Sequence, residues 1–427
     1  MRTCLVLFLA LAPLPAADNG GVLLRGATVH TVSGADIANG CVLVRDGRIA
    51  EVAERIAPPH GVRVVELKGL HLYPGMIDSA TEIGLSEIAA VREMNDISDL
   101  GLFKPQLRAS TAVNPASEHI PVTRANGITS VISAPGGGII AGQAVLMSLA
   151  GWTMADMAVR DPVAMRLEYP HIQTPPRFML AETSSRTSYA DSKKKYEQQV
   201  RELNDFMDSA QRYRQAKAAD GAAPGFHADL KLEAMLPVLD GKIPMLIRAE
   251  KEKTIREAIA FADKYKVHMV LERGLEAWKL TGDLNKHHIP VVLPPTLRLP
   301  EQEDDPYDKP FSIPAELSKA GVKFAFATFG PAAEDNPRNL PFQAAAAVPF
   351  GLSPREALKA VTLYPAEIWG AGQDLGSIDK GKWADLIVTD GDPLETRTAV
   401  KQVFIRGVSI DLENKHHRLY EEYMARP

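Results

Sequence analysis

Between residues 74 and about 370 the chain alternates near-continuous apolar runs with helical periods, and that alternation leaves few folds open. The runs ITSVISAP (128–135), IPMLIRAE (243–250), VHMVLERG (267–274), IPVVLPP (289–295) and VKFAFATF (322–329) are apolar on both strand faces. Strands of that kind belong to a parallel sheet covered on each side by helices. Helical periods separate them, as at 254–264 and 276–285, so the pattern predicts an α/β fold, a (β/α)8 TIM-type barrel. Residues 72–87, LYPGMIDSATEIGLSE, open it. Pro74-Gly75 is a turn, Met76-Ile77 begins a strand, and Asp78 to Glu82 run off its C-terminal end, where barrels of this type carry their sites. Six strands can be placed in this way; two cannot.

Both ends of the chain are written differently. Residues 22–72 read as short alternating strands with a type I′ hairpin signal at Asp46-Gly47, and the strand-and-turn style returns from Leu375. One long amphipathic helix is expected over 188–217, where Tyr196, Val200, Leu203, Phe206, Met207, Ala210 and Tyr213 recur every three or four residues. Its charged face reads as solvated surface, and residues 220–224 as a loop. Ser353-Pro354-Arg355-Glu356 predicts a capped helix running to Val361. The final residues, 413–427, form a charged tail with helical character.

Composition narrows the function. An apolar fraction of 45% with 24% charged residues is that of a globular protein, and a net charge of −5 argues against a nucleic-acid partner. Residues 1–17 place Arg2 before an apolar core from Cys4 to Leu11, with small residues at Ala16 and Ala17. That pattern predicts a signal peptide and an exported protein, periplasmic or extracellular; the run is too short for a membrane span. Cleavage would leave Cys41 as the sole cysteine and exclude an intramolecular disulfide. The chain has no Gly-x-Ser-x-Gly elbow, and Pro135–Gly138 lacks the Gly-Lys-Ser/Thr ending of a phosphate loop.

Four blocks carry a family resemblance: YPGMIDSATEIG (73–84), NPASEHIPVTRANGITSVISAPGGGIIAGQ (114–143), DNPRNLPFQAAAAVPFGLSPREALKAVTLYPAEIWG (335–370) and LGSIDKGKWADLIVTDGDP (375–393). Together they resemble the metal-dependent amidohydrolase superfamily, in particular its exported imidazolonepropionase-like group. The resemblance implies a barrel over 73–370 and a composite β-sandwich from 22–72 plus 371–412. It also implies hydrolysis of non-peptide C–N bonds with zinc or another divalent ion, held by a His-x-His pair, two further His and an Asp.

Matched to this chain, those positions hold Ala80 and Glu82, Arg248, Arg273 and Phe329, with Glu250 beside Arg248. Arginine cannot ligate a cation, and Phe329 removes the carboxylate that would act as base. The expectation is therefore a protein with no catalytic or metal residues, a vestigial pocket and no cofactor, acting as an exported binding or structural module. The rival reading is an active amide or cyclic-amide hydrolase with a rearranged or mononuclear metal site. A small-molecule ligand at the barrel mouth and homo-oligomerisation both stay open. Among other histidines, His268 is expected in or below the barrel, and His227 and the pairs His287-His288 and His416-His417 at the surface. Asn126 and Gln143 are polar candidates near the mouth. In electrostatic terms, a guanidinium of Arg248 or Arg273 is expected to pair with Glu82 or Glu250.

Overall fold

The computed structural model describes residues 21–88, 90–172, 188–219, 227–301, 304–329 and 336–426. The expected signal segment and the loop at 220–224 lie outside the described residues.

Five strands come first: β1 (Val22–Val29), β2 (Ile37–Arg45), β3 (Arg48–Ala53), β4 (Arg63–Glu66) and β5 (His71–Pro74). β2 and β3 close on Asp46-Gly47, both at positive φ as a type I′ turn requires. Eight barrel strands follow. They are β6 (Met76–Thr81), β7 (Ile128–Ser133), β8 (Ile140–Ser148), β9 (Ala158–Glu168), β10 (Met245–Ala249), β11 (Met269–Arg273), β12 (Val291–Leu293) and β13 (Phe324–Phe326). The chain ends with β14 (Leu386–Thr389), β15 (Val400–Ile405), β16 (Val408–Ile410) and a helix Lys415–Met424 capped by Asn414.

β5 pairs with β14, so the two ends of the chain meet in one sheet of order β16-β15-β14-β5-β1-β2-β3, with β4 also on β1. The barrel sheet runs β6 to β13 in sequence order. Its last gap is bridged where the Phe329 N–H donates to Ala80 O at 3.1 Å and the Thr328 hydroxyl donates to Asp78 Oδ2 at 2.6 Å.

The barrel departs from an all-parallel arrangement in one place. β8 is antiparallel to both β7 and β9. Only residues 134–139 join β7 to β8, too few for a crossover helix, so the strand must fold straight back. Gly137 and Gly138 turn it at φ of 74° and 75°, and a Cβ on Gly138 would lie 2.8 Å from the Gly101 and Leu102 carbonyls. β8 and β9 are the two strands that the sequence pattern does not place.

Inside the barrel, Ile77, Ile132, Leu246, Val270 and Val292 form an apolar floor. The long helix spans Tyr189–Ala218, capped by the Ser188 hydroxyl, and buries Leu203, Met207, Ala210 and Tyr213. Pro354–Lys359 is helical with Ser353 capping the Glu356 N–H. Among the described residues no helix is long and apolar enough to cross a membrane.

Candidate functional site at the barrel mouth

Side chains alternate along a barrel strand, so the residues two beyond the apolar floor point inward at the C-terminal mouth. On β9 that residue is Arg166, on β10 Arg248 and on β11 Glu272. Arg166 and Glu272 form a bidentate pair: Nε to Oε2 at 3.0 Å and Nη2 to Oε1 at 2.9 Å. Their side chains are only 6% and 2% exposed. Arg166 Nη1 also donates to Pro135 O at 2.9 Å, and its guanidinium lies 4.1 Å from the centre of the Phe329 ring. A cation is thus fixed over the centre of the barrel, with a carboxylate below one edge and an aromatic face against the other.

A second ionic group sits beside it. Arg248 donates to Glu250 Oε1 from Nη2 at 2.9 Å and from Nε at 3.2 Å, and its Nη1 lies 3.6 Å from Glu168. Arg273 Nε lies 3.0 Å from the same Glu250 oxygen, close enough to be an ion pair but not aligned as a hydrogen bond. Burial acts to raise the Glu250 carboxyl; Arg273 and Arg248 together outweigh it and hold the group below its ordinary range. Arg273 reaches this position from a φ of 73°, a left-handed backbone that an arginine rarely adopts. Glu301, on the loop after β12, is pushed up by burial and by the nearby Glu250 charge.

The residues singled out from the sequence therefore separate. Arg248, Arg273 and Glu250 come together, and both guanidiniums reach Glu250. Phe329 joins the centre through Arg166, which the sequence reading did not name. Ala80 is wholly buried in β6, and Glu82 lies half-buried just past it. His268 precedes β11 at the opposite end of the barrel from the mouth, and His227 is exposed. His287 pairs with Asp263 and His416 with Arg338, on the surface. Gln143 is buried near the mouth and donates to Pro105 O. Asn126 is a correction: it precedes β7 at the barrel's lower end and donates to Arg338 O. Cys41 is buried in β2, in the terminal sheet.

An amidohydrolase family model matches residues 71–410, most of the chain. The chain belongs to the amidohydrolase family. It is 23% identical to amidohydrolase tasK of Hapsidospora irregularis, over 91% of this chain and 42% of that protein. Imidazolonepropionase of Flavobacterium johnsoniae is 30% identical over 33% of this chain and 38% of its own length. The chain thus spans less than half of each of these two relatives. An amidohydrolase structure from Thermotoga maritima superposes with a TM-score of 0.79 at 28% identity, covering 91% of this chain and 99% of that one.

Membership in this family implies a divalent ion at the strand ends, so the donors there must be tested for fit. Ala80 offers no donor atom, and Arg248 and Arg273 bring fixed positive charge. Both Glu272 oxygens already accept from Arg166. Among the described residues no group of three or more His, Cys, Asp or Glu is arranged to hold a metal. These side chains do not fit a dication.

Proposed function

We propose that this amidohydrolase-family protein has given up metal-dependent hydrolysis and acts outside the cytoplasm as a binding module for a small molecule at the barrel mouth. The observation that carries the reading is the Arg166–Glu272 pair capped by Phe329, a buried cation at the centre where the family's chemistry would be done. A guanidinium there fills the centre without offering a coordination site, so the centre cannot activate a bound water as a metal does, and a ligand at the mouth rests above the pair. Arg248 and Arg273 on Glu250, with Glu168 3.6 Å from Arg248, extend the ionic lining toward β11.

Metal analysis of protein purified without chelator and then dialysed tests this. Well under a tenth of an equivalent of zinc or other divalent ion is expected. A full equivalent retained through dialysis would overturn the reading and favour the rival one, a C–N hydrolase with a rearranged centre, which the Thermotoga likeness supports. Export rests on the residue pattern at 1–17, and intact mass of the mature protein checks it: a retained Met1 refutes cleavage.

A further inference from the structure

The ten-residue helix Lys415–Met424 buries none of its side chains. It is tied to the barrel at its first turn, where Arg338 Nη1 donates to His416 Nδ1 at 2.8 Å and Arg418 lies 3.4 Å from Glu118. Beyond that turn Leu419, Tyr420, Tyr423 and Met424 fall three and four residues apart and so form one apolar stripe. They are 38%, 66%, 56% and 67% exposed, although the Arg426 guanidinium lies 4.0 Å from the centre of the Tyr423 ring. A helix this short is marginal in water by itself, because helices in proteins are stabilised chiefly by packing an amphipathic face. Among the described residues nothing buries this one.

The charges on the helix run the wrong way for a helix that stands alone. Its first turn carries Lys415 and Arg418 and no acid; its last turn carries Glu421 and Glu422 and no base. A helix dipole is positive at the first turn and negative at the last, so each end repels the charges placed on it. We propose that the apolar stripe packs antiparallel against the same helix of a second copy of this chain, giving a two-fold dimer. Antiparallel pairing sets the basic turn of each copy beside the acidic turn of the other, and it opposes the two dipoles head to tail. Lys415 and Glu422, seven residues apart, share one edge of the stripe, so Lys415 of each copy meets Glu422 of the other. Among the described residues neither has an ion-pair partner within its own chain. A parallel pair would instead set base against base and acid against acid, so the charge order selects the two-fold antiparallel arrangement.

Sedimentation velocity of the full chain over a range of concentrations tests this. Two short helices bury less than the roughly 1,200 Å² of a standard interface, so a weak dimer is expected, with a dissociation constant on the order of tens of micromolar. Tyr420→Ser with Met424→Ser should weaken it at least about tenfold. Lys415→Glu and Glu422→Lys each place like charges across the pair and should each weaken it by roughly threefold to tenfold at low salt. An equimolar mixture of those two variants restores opposite charges at both ends and should dimerise at least as tightly as the parent. The helix lies outside the barrel core, so thermal unfolding of every variant at a concentration where the parent is monomeric should match the parent's. A monomer at all concentrations overturns the proposal, and so does a dimer that survives Tyr420→Ser/Met424→Ser or a mixture no tighter than its components. Loss of vesicle binding rather than of dimerisation in the Tyr420→Ser/Met424→Ser variant would assign the stripe to a lipid surface and overturn it equally.

Discussion

Replacing Glu272 by Gln tests the barrel centre most directly. The pair it breaks has two nitrogen–oxygen contacts of 2.9 and 3.0 Å between side chains almost wholly removed from water. At 2.9 Å and an effective dielectric near 20 the bare attraction is about 6 kcal/mol, most of it offset by desolvation of both ions. Removing one partner leaves the other's desolvation uncompensated, and arginine cannot escape by losing its proton. The variant should therefore lose about 3–5 kcal/mol of stability, less whatever a neutral Gln oxygen recovers as an acceptor. Arg166→Met should cost a similar amount. The double variant Arg166→Met/Glu272→Leu should fall close to the parent, because an apolar pair resting on Phe329 and the Val270 floor needs no counter-charge. Urea unfolding of all four proteins, followed by tryptophan fluorescence at one pH, closes the cycle. A Glu272→Gln variant within about 1 kcal/mol of the parent, or a double variant as unstable as the two singles added, refutes the reasoning.

Asp385 supplies a pH dependence of opposite sign to the usual acid. Burial raises its carboxyl to about 6, against the Arg406 N–H bond and charge that act to lower it. A folded acid with a raised value binds its proton more tightly than the unfolded chain does, so stability falls as pH rises from about 4 to about 6 and stays reduced above. The loss over that window is about 3 kcal/mol, and Asp385→Asn should flatten it; an unchanged slope between pH 4 and 7 in urea midpoints refutes the assignment. Gly75→Ala should destabilise strongly, since its Cβ would lie 2.1 Å from Thr129 Oγ1 at the start of the barrel; adding Thr129→Ala should recover much of the loss, and failure to recover it would show that the backbone, not Thr129, is the constraint.

Strands buried on both faces announce themselves, which is why six barrel strands could be read before the structure. β9 could not, because its eleven residues include Arg160, Asp161, Pro162, Arg166 and Glu168, and both proline and charge argue against a central strand. The same charges concealed the centre of the site. Arg166 looks like an interruption until Ala164, Arg166 and Glu168 are seen as one inward face of period two. A second signal was available: Glu272 in an otherwise apolar strand demands a buried cation, and neither Arg248 nor Arg273 reaches it in the bidentate geometry that Arg166 adopts. β8 was missed for a different reason. Its antiparallel direction follows from the length of the loop before it, which matters only once both flanking strands are known.

The layering inside the barrel also decides where a ligand can go. A barrel interior is filled by side chains in tiers, so a guanidinium and a phenyl ring stacked at 4.1 Å use the central space that a coordinated ion and its water would need. With Arg166 tied to Glu272 and Pro135, that tier is rigid, and any molecule bound at the mouth must rest on top of it. Specific contacts then come from the perimeter, where strand ends hand over to loops. On the β10–β11 side the perimeter carries two arginines on one Glu250 oxygen, with Glu168 3.6 Å from Arg248, so the opposite charges there balance. The geometry that closes the centre to a dication also confines any ligand at the mouth to the perimeter.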